Sequence, residues 1–97
     1  MTQREFSNIG EFVKKHRIKQ GYSQEALSKA LGYANGQFIS NVERGLCSIP
    51  LKHVVPLRQV LGVEAHQITK ALLKDYEQTI QNYTVTGEEV FQESSPH

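Results

Sequence analysis

The 97-residue chain carries almost nothing that could staple it covalently or through a metal. Cys47 is the only cysteine, which excludes an intramolecular disulfide and, with no second thiol beside the four histidines, any zinc-finger spacing. His16, His53 and His66 are too scattered for a metal site, so neither metal nor cofactor is expected. No side chains form a catalytic set, and an enzyme is not expected. No run of eighteen apolar residues occurs, and Met1 to Asn8 lacks the apolar core of a secretion signal. These absences predict a cytoplasmic protein with no membrane contact and a free thiol. Oxidation of Cys47 as a switch and an inert thiol are the two readings of that residue. There is no internal repeat and no low-complexity tract. With 38% hydrophobic residues the chain can bury one modest core, leaving no room for a second domain with its own ligand pocket.

Charge is scarce in total but uneven in placement. The net value is +1, yet the chain up to Val60 holds nine Lys or Arg against four Asp or Glu, while Leu61 to His97 holds two against six. A basic first half suits contact with phosphates, and an acidic second half would be held away from them. Solvated surface charge on an ordinary helical domain is the competing reading.

Helical periodicity organises most of the chain. Phe6, Ile9 and Val13 recur at spacings of three and four, and Gly21 ends this first helix, which either Thr2 with Glu5 or Ser7 would cap. Ser23 caps a second helix whose buried stripe is Leu27, Ala30 and Leu31, with Gly32 stopping it. Asn35 can cap a third helix reaching Arg44 and ended by Gly45. On it, Phe38, Ile39 and Val42 share one face, while Gln37, Ser40, Asn41 and Arg44 share the other. Pro50 opens a fourth, carried by Leu51, Val54, Val55, Leu57 and Val60 to Gly62, with an irregular turn expected between Lys52 and Pro56. From Glu64 to Asn82 neither Gly nor Pro interrupts Ile68, Leu72, Leu73, Tyr76 and Ile80, which predicts a long fifth helix. The last residues, 83–97, mix Thr, Val, Gly, Glu and Ser, and three readings stay open for them: partial disorder, a short strand or a short helix.

Two short helices joined by a tight turn form the general helix-turn-helix layout. Ile9-Gly10, Val13, Arg17, Gly21-Tyr22-Ser23-Gln24-Glu25, Leu27, Leu31-Gly32, Ile39-Ser40, Glu43-Arg44-Gly45 and Pro50 together resemble the phage-repressor and Cro-like (XRE) family of bacterial regulators, over Ile9 to about Val63. The resemblance implies an all-α, five-helix repressor-like domain, with residues 1–63 as the helix-turn-helix DNA-binding part; the residues themselves add a long helix over 64–82 read as a dimerisation element and a short acidic tail over 83–97. It also implies a homodimeric repressor at the bacterial nucleoid, reading a two-fold related operator on double-stranded DNA through helix three in the major groove.

The side chains bear on that chemistry independently. Asn and Gln pair a donor with an acceptor in one plane, matching adenine N6 and N7, which makes Gln37 and Asn41 the leading base readers. Plain solvation of a helix face is the alternative. Gln24, at the start of helix two, has a phosphate-clamping role in the family, against a local interaction in the first turn; Ser23, Ser40, Arg44 and Lys52 are further phosphate candidates. Lys14, Lys15 and Lys19 read as a solvated face of helix one, with phosphate contact as the alternative. Arg17 and Glu43 occupy positions that pair across helices one and three in the family, a structural role. The chain departs from the family in having six residues, Tyr33 to Phe38, between Gly32 and Ile39 where five are common. Gly36 then offers only backbone, so Tyr33 or Asn35 would have to reach the bases instead. Ser28 replaces the customary Ala, with little expected consequence. Leu72, Leu73, Tyr76 and Ile80 exceed what a small core needs and are read as a dimer interface, against simple packing on helix one. A protein-interaction module of antitoxin or co-regulator type is the alternative function, served by Glu88, Glu89 and Glu93 around Phe91.

Overall fold

The computed structural model describes residues 5–94, with side chains as far as Thr84. Five helices follow in order: α1 (Ser7–Gln20), α2 (Gln24–Ala30), α3 (Gln37–Glu43), α4 (Val54–Leu61) and α5 (Ala65–Ser94), with a 3-10 turn over Leu51–His53 leading into α4. Among the described residues there is no strand. The all-α, five-helix architecture is therefore the one expected.

One core joins every helix. Ile9 and Val13 from α1, Leu27 from α2, Ile39 and Val42 from α3, Leu57 and Leu61 from α4, and Ile68 from α5 are all fully buried. Burial at roughly 1.5–3 kcal/mol per large aliphatic side chain makes this cluster the main source of stability. Gly10 sets how closely α1 and α3 can cross: a Cβ there would lie 2.5 Å from the Val42 carbonyl oxygen, a backbone atom with no freedom to move aside.

Several local expectations change. Ala30 is exposed, so the stripe of α2 is Leu27, Ser28 and Leu31. Leu51 and Val55 point outward, because the 3-10 turn rotates the chain ahead of α4 and leaves only Leu57 and Leu61 of that segment fully buried. The irregular turn falls where Pro56 predicts it. Pro56 is the third residue of α4, among the leading positions whose N–H has no intrahelical partner, so its missing donor is harmless there. α3 begins at Gln37 and spans seven residues, with Gly36 as its formal cap.

The largest revision concerns α5, which passes Asn82 and Gly87 and runs on to Ser94. A helix interior tolerates a glycine at about 1 kcal/mol, and extension of an already docked helix needs no new nucleus. The start of α1 is also unexpected. Thr2 lies outside the described residues and Ser7 caps nothing; instead Asp75 of α5 accepts the Asn8 N–H at 2.8 Å and the Ile9 N–H at 2.9 Å.

Candidate nucleic-acid interface

α3 is held by groups that come from other helices. Arg17 of α1 grips the Glu43 carboxylate with two bonds, Nε to Oε2 at 2.5 Å and Nη2 to Oε1 at 3.1 Å. Its third nitrogen donates to the Tyr22 carbonyl at 2.8 Å, so one guanidinium ties α1, the α1–α2 turn and the end of α3 together. Planar, bidentate pairing fixes an angle as well as a distance. The Glu43 side chain is 3% exposed and receives a further bond from the Gln24 amide at 3.0 Å. At the other end of α3, the fully buried Ser28 hydroxyl accepts the Ile39 N–H at 3.1 Å. Ser28 is thus more than a small-for-small exchange, since an alanine would leave that first-turn donor buried without a partner.

The turn ahead of α3 uses its additional residue inward. Tyr33 stacks on Phe38, ring centroids 4.1 Å apart and 9° from parallel, and its hydroxyl pairs with His53 Nε2 at 2.9 Å. This ties the turn to the segment before α4 and leaves the Tyr33 side chain half-buried, with its hydroxyl engaged. Gly36 rests against the first turn of α2, where a Cβ would come within 3.0 Å of the Glu25 backbone nitrogen. A side chain at 36 would be crowded against α2 backbone unless that turn gave by a few tenths of an ångström.

The open face of α3 carries a linked set of polar groups. Gln37 donates from Nε2 to Asn41 Oδ1 at 2.8 Å, and Arg44 Nη2 reaches the same oxygen at 3.4 Å. Asn35 Oδ1 accepts the Gln37 N–H at 2.9 Å, leaving its amide nitrogen outward. Gln37, Asn35 and Arg44 are exposed and Ser40 and Asn41 half-buried. Amides one turn apart, oriented by each other and bordered by a guanidinium, can meet base edges and phosphates at once.

No protein-family model and no curated protein matches the chain. Among solved structures it is similar to a point mutant of the restriction-modification controller protein C.Esp1396I, at 25% identity over 78% of this chain and 95% of that one, with a TM-score of 0.58. It is similar as well to that controller protein as a tetramer in complex with its natural 35 base-pair operator, at 23% identity over 76% of this chain and 96% of the other, with a TM-score of 0.56. The five-helix fold is one that an operator-binding controller protein shares.

The remaining predicted residues divide by place. Ser23 accepts the Ala26 N–H at 2.9 Å and caps α2, while the exposed Lys52 stands in the 3-10 turn. Gln24 donates one amide hydrogen to Glu43, and its second hydrogen and oxygen carry no bond. Leu72 packs against the core, whereas Leu73, Tyr76 and Ile80 are 60%, 64% and 45% exposed along the outer face of α5. Burial raises the Cys47 thiol above its ordinary value, which disfavours the reactive thiolate. Asp75 was missed by reasoning from the sequence. The signal that could have found it is an acid inside an apolar period, since Ile68, Leu72 and Asp75 share one face of α5.

Proposed function

We propose that the chain is a sequence-specific DNA-binding transcriptional regulator of the phage-repressor and Cro-like kind, acting as a repressor through α3 in the major groove. The observation that carries the reading is the linked Gln37, Asn41 and Arg44 edge on the open face of α3, braced from behind by Arg17 and Glu43. The fold held in common with a restriction-modification controller protein supports it. Gln37 and Asn41 read bases, with Asn35 at the margin, and Ser23, Gln24, Ser40, Arg44 and Lys52 hold phosphates. Gln37 and Asn41 trade their mutual hydrogen bond for base contacts on binding. A bidentate amide contact discriminates by about 1–3 kcal/mol, so Asn41→Ala relaxes sequence choice while retaining general affinity. Arg44→Gln instead weakens all sequences alike and flattens the salt dependence. Selection of bound sites from random DNA, followed by salt titration, checks both. Absence of binding to any DNA at low salt overturns the reading.

The regulator works as a homodimer, joined through Leu73, Tyr76 and Ile80 of α5, with half-sites about 34–36 Å apart. Exposed apolar residues at spacings of three and four on an outer helix face support this. Truncation before α5 cannot test it, because Ile68 and Asp75 belong to the core and to the start of α1. Tyr76→Ser with Ile80→Ser removes the stripe and spares both, and light scattering then reports a monomer. A variant that stays dimeric excludes the α5 interface. A second reading keeps the fold for protein interaction, favoured by Leu46, Leu51 and Val55, exposed in and after the loop that follows α3. The acidic side chains Glu88, Glu89 and Glu93 assigned to that role lie outside the described ones.

A further inference from the structure

A cleft of about 440 Å³ lies between α1 and the first half of α5, within the size range of small-ligand sites. It faces away from the proposed DNA surface. At about 100° per residue, Gly10, Val13 and Arg17 form the side of α1 that meets α3, and Phe12 and Lys15 fall on the opposite side.

Its charge is unusual for its surroundings. Lys15 contributes from α1, and Lys70 and Lys74 from α5. Lys70 and Lys74 are the only basic residues between Leu61 and His97, a stretch otherwise acidic, and both border this cleft. They sit one helical turn apart, a like-charge spacing that opposes helix formation unless something anionic answers it. Among the described residues the ion pairs are Arg17 with Glu43 and Lys29 with Glu25, so none of the three lysines is neutralised by a carboxylate. Glu11 is the one acid on the rim, Asp75 is spent on the α1 backbone, and Glu77, one turn past Lys74, lies on the other side of the lysine pair with no ion pair to either among the described residues. The wall is mixed, with Asn8, Gln67 and His66 beside Ala71, and its aromatic part is Phe12, half-buried against the core with its ring 4.5 Å from that of His16. Burial first, then the nearby Lys15 and Lys19 charges, lower the His16 pKa and so disfavour its charged form.

We propose that this cleft binds a small organic polyanion with an aromatic part, of which a nucleoside triphosphate is the type. The anionic end bridges Lys15 to Lys70 and Lys74, and the ring rests on Phe12 and His16. Such a ligand would tie α1 to α5 beside the existing Asp75 bonds, giving this five-helix unit an effector site of its own.

The test titrates the full chain calorimetrically with ATP, inorganic triphosphate and adenosine, without divalent cations. ATP is expected to bind, triphosphate at least several-fold more weakly, and adenosine not measurably. Lys70→Gln with Lys74→Gln should weaken ATP at least tenfold, and Arg44→Gln should leave it unchanged. Failure of ATP to bind, equal affinity for triphosphate, or loss on Arg44→Gln with no effect of the lysine pair overturns the proposal; the last would place the anion on α3. Should the lysine variant instead abolish self-association while ATP binding is untouched, the cleft holds the acidic helix of a second copy and the proposal also fails. The proposal is separable from the DNA-binding reading, since neither lysine is assigned a part in it.

Discussion

α1 and α2 meet the same difficulty at their first turns, donors with no intrahelical acceptor, and answer it at opposite ranges. α2 uses its own Ser23, three residues before the amide that it satisfies. α1 uses Asp75, which stands 66 and 67 residues away along the chain and is 3% exposed. A local cap stabilises one helix; a remote one also decides where two helices lie. Asp75 docks α5 on α1, and its neighbours Leu73 and Tyr76 face outward, so one turn of α5 holds the fold together on one side and presents an apolar surface on the other. α3 stands between these cases, with Asn35 acting two residues away and Ser28 eleven.

If remote ties dominate, cutting them should do the most damage. Arg17→Met leaves the Glu43 carboxylate buried with only the Gln24 amide, and breaking a buried pair from one side costs about 3–5 kcal/mol. Urea denaturation should show that loss, with DNA affinity falling alongside. An unchanged midpoint with weakened affinity would make Arg17 a phosphate contact instead. Asp75→Ala comes next, at about 3 kcal/mol, because the buried Ile9 N–H and the Asn8 N–H lose their acceptor together. Faster hydrogen exchange at Asn8 and Ile9 is the direct signature.

The same distinction explains what could be read in the sequence. Helix periods, the Ser23 cap, the irregular turn at Pro56 and the facing of Ile39 and Val42 depend on residues within one or two turns of each other, and a linear pattern records them. The meeting of Arg17 with Glu43 was legible only through likeness to a family. Asp75, the Ser28 bond to Ile39 and the Tyr33–His53 tie were not legible, because each depends on a tertiary approach that no spacing encodes. Gly36 is instructive in the same way: its lack of a side chain reads as a missing base contact, whereas the close approach of α2 is what crowds a side chain there. The extension of α5 to Ser94 escaped because local composition disfavours helix after Tyr83 while an established helix propagates through it.

Local ties should cost less and be easier to replace. Ser23→Ala is expected to lose about 1 kcal/mol, and Ser23→Asp to recover nearly all of it, since the two side chains rank together as caps. No single replacement at 75 offers such recovery: asparagine keeps one acceptor oxygen and turns an NH2 toward the second donor. Thermal melts of Ser23→Asp and Asp75→Asn side by side sharpen the contrast. Equal recovery would mean that the range of a cap does not matter.

The smallest effect belongs to Glu25, fully local and on the surface. The Lys29 ammonium, bonded to its carboxylate at 2.8 Å, holds the Glu25 pKa below its ordinary 4.5, first through that hydrogen bond and then through charge, with slight burial opposing. A carboxyl with a depressed folded pKa binds its proton more weakly folded than unfolded. Its stabilisation is therefore complete above the ordinary value and disappears as pH falls through the folded one. Glu25 also lies in the first turn of α2, where a negative charge faces the positive helix end. Glu25→Gln should lower the melting temperature slightly at neutral pH, less so at high salt, and not at all in strong acid, where the native side chain is itself neutral. A gap that survived acid would show that the packing of the Glu25 stem, rather than its charge, supports α2.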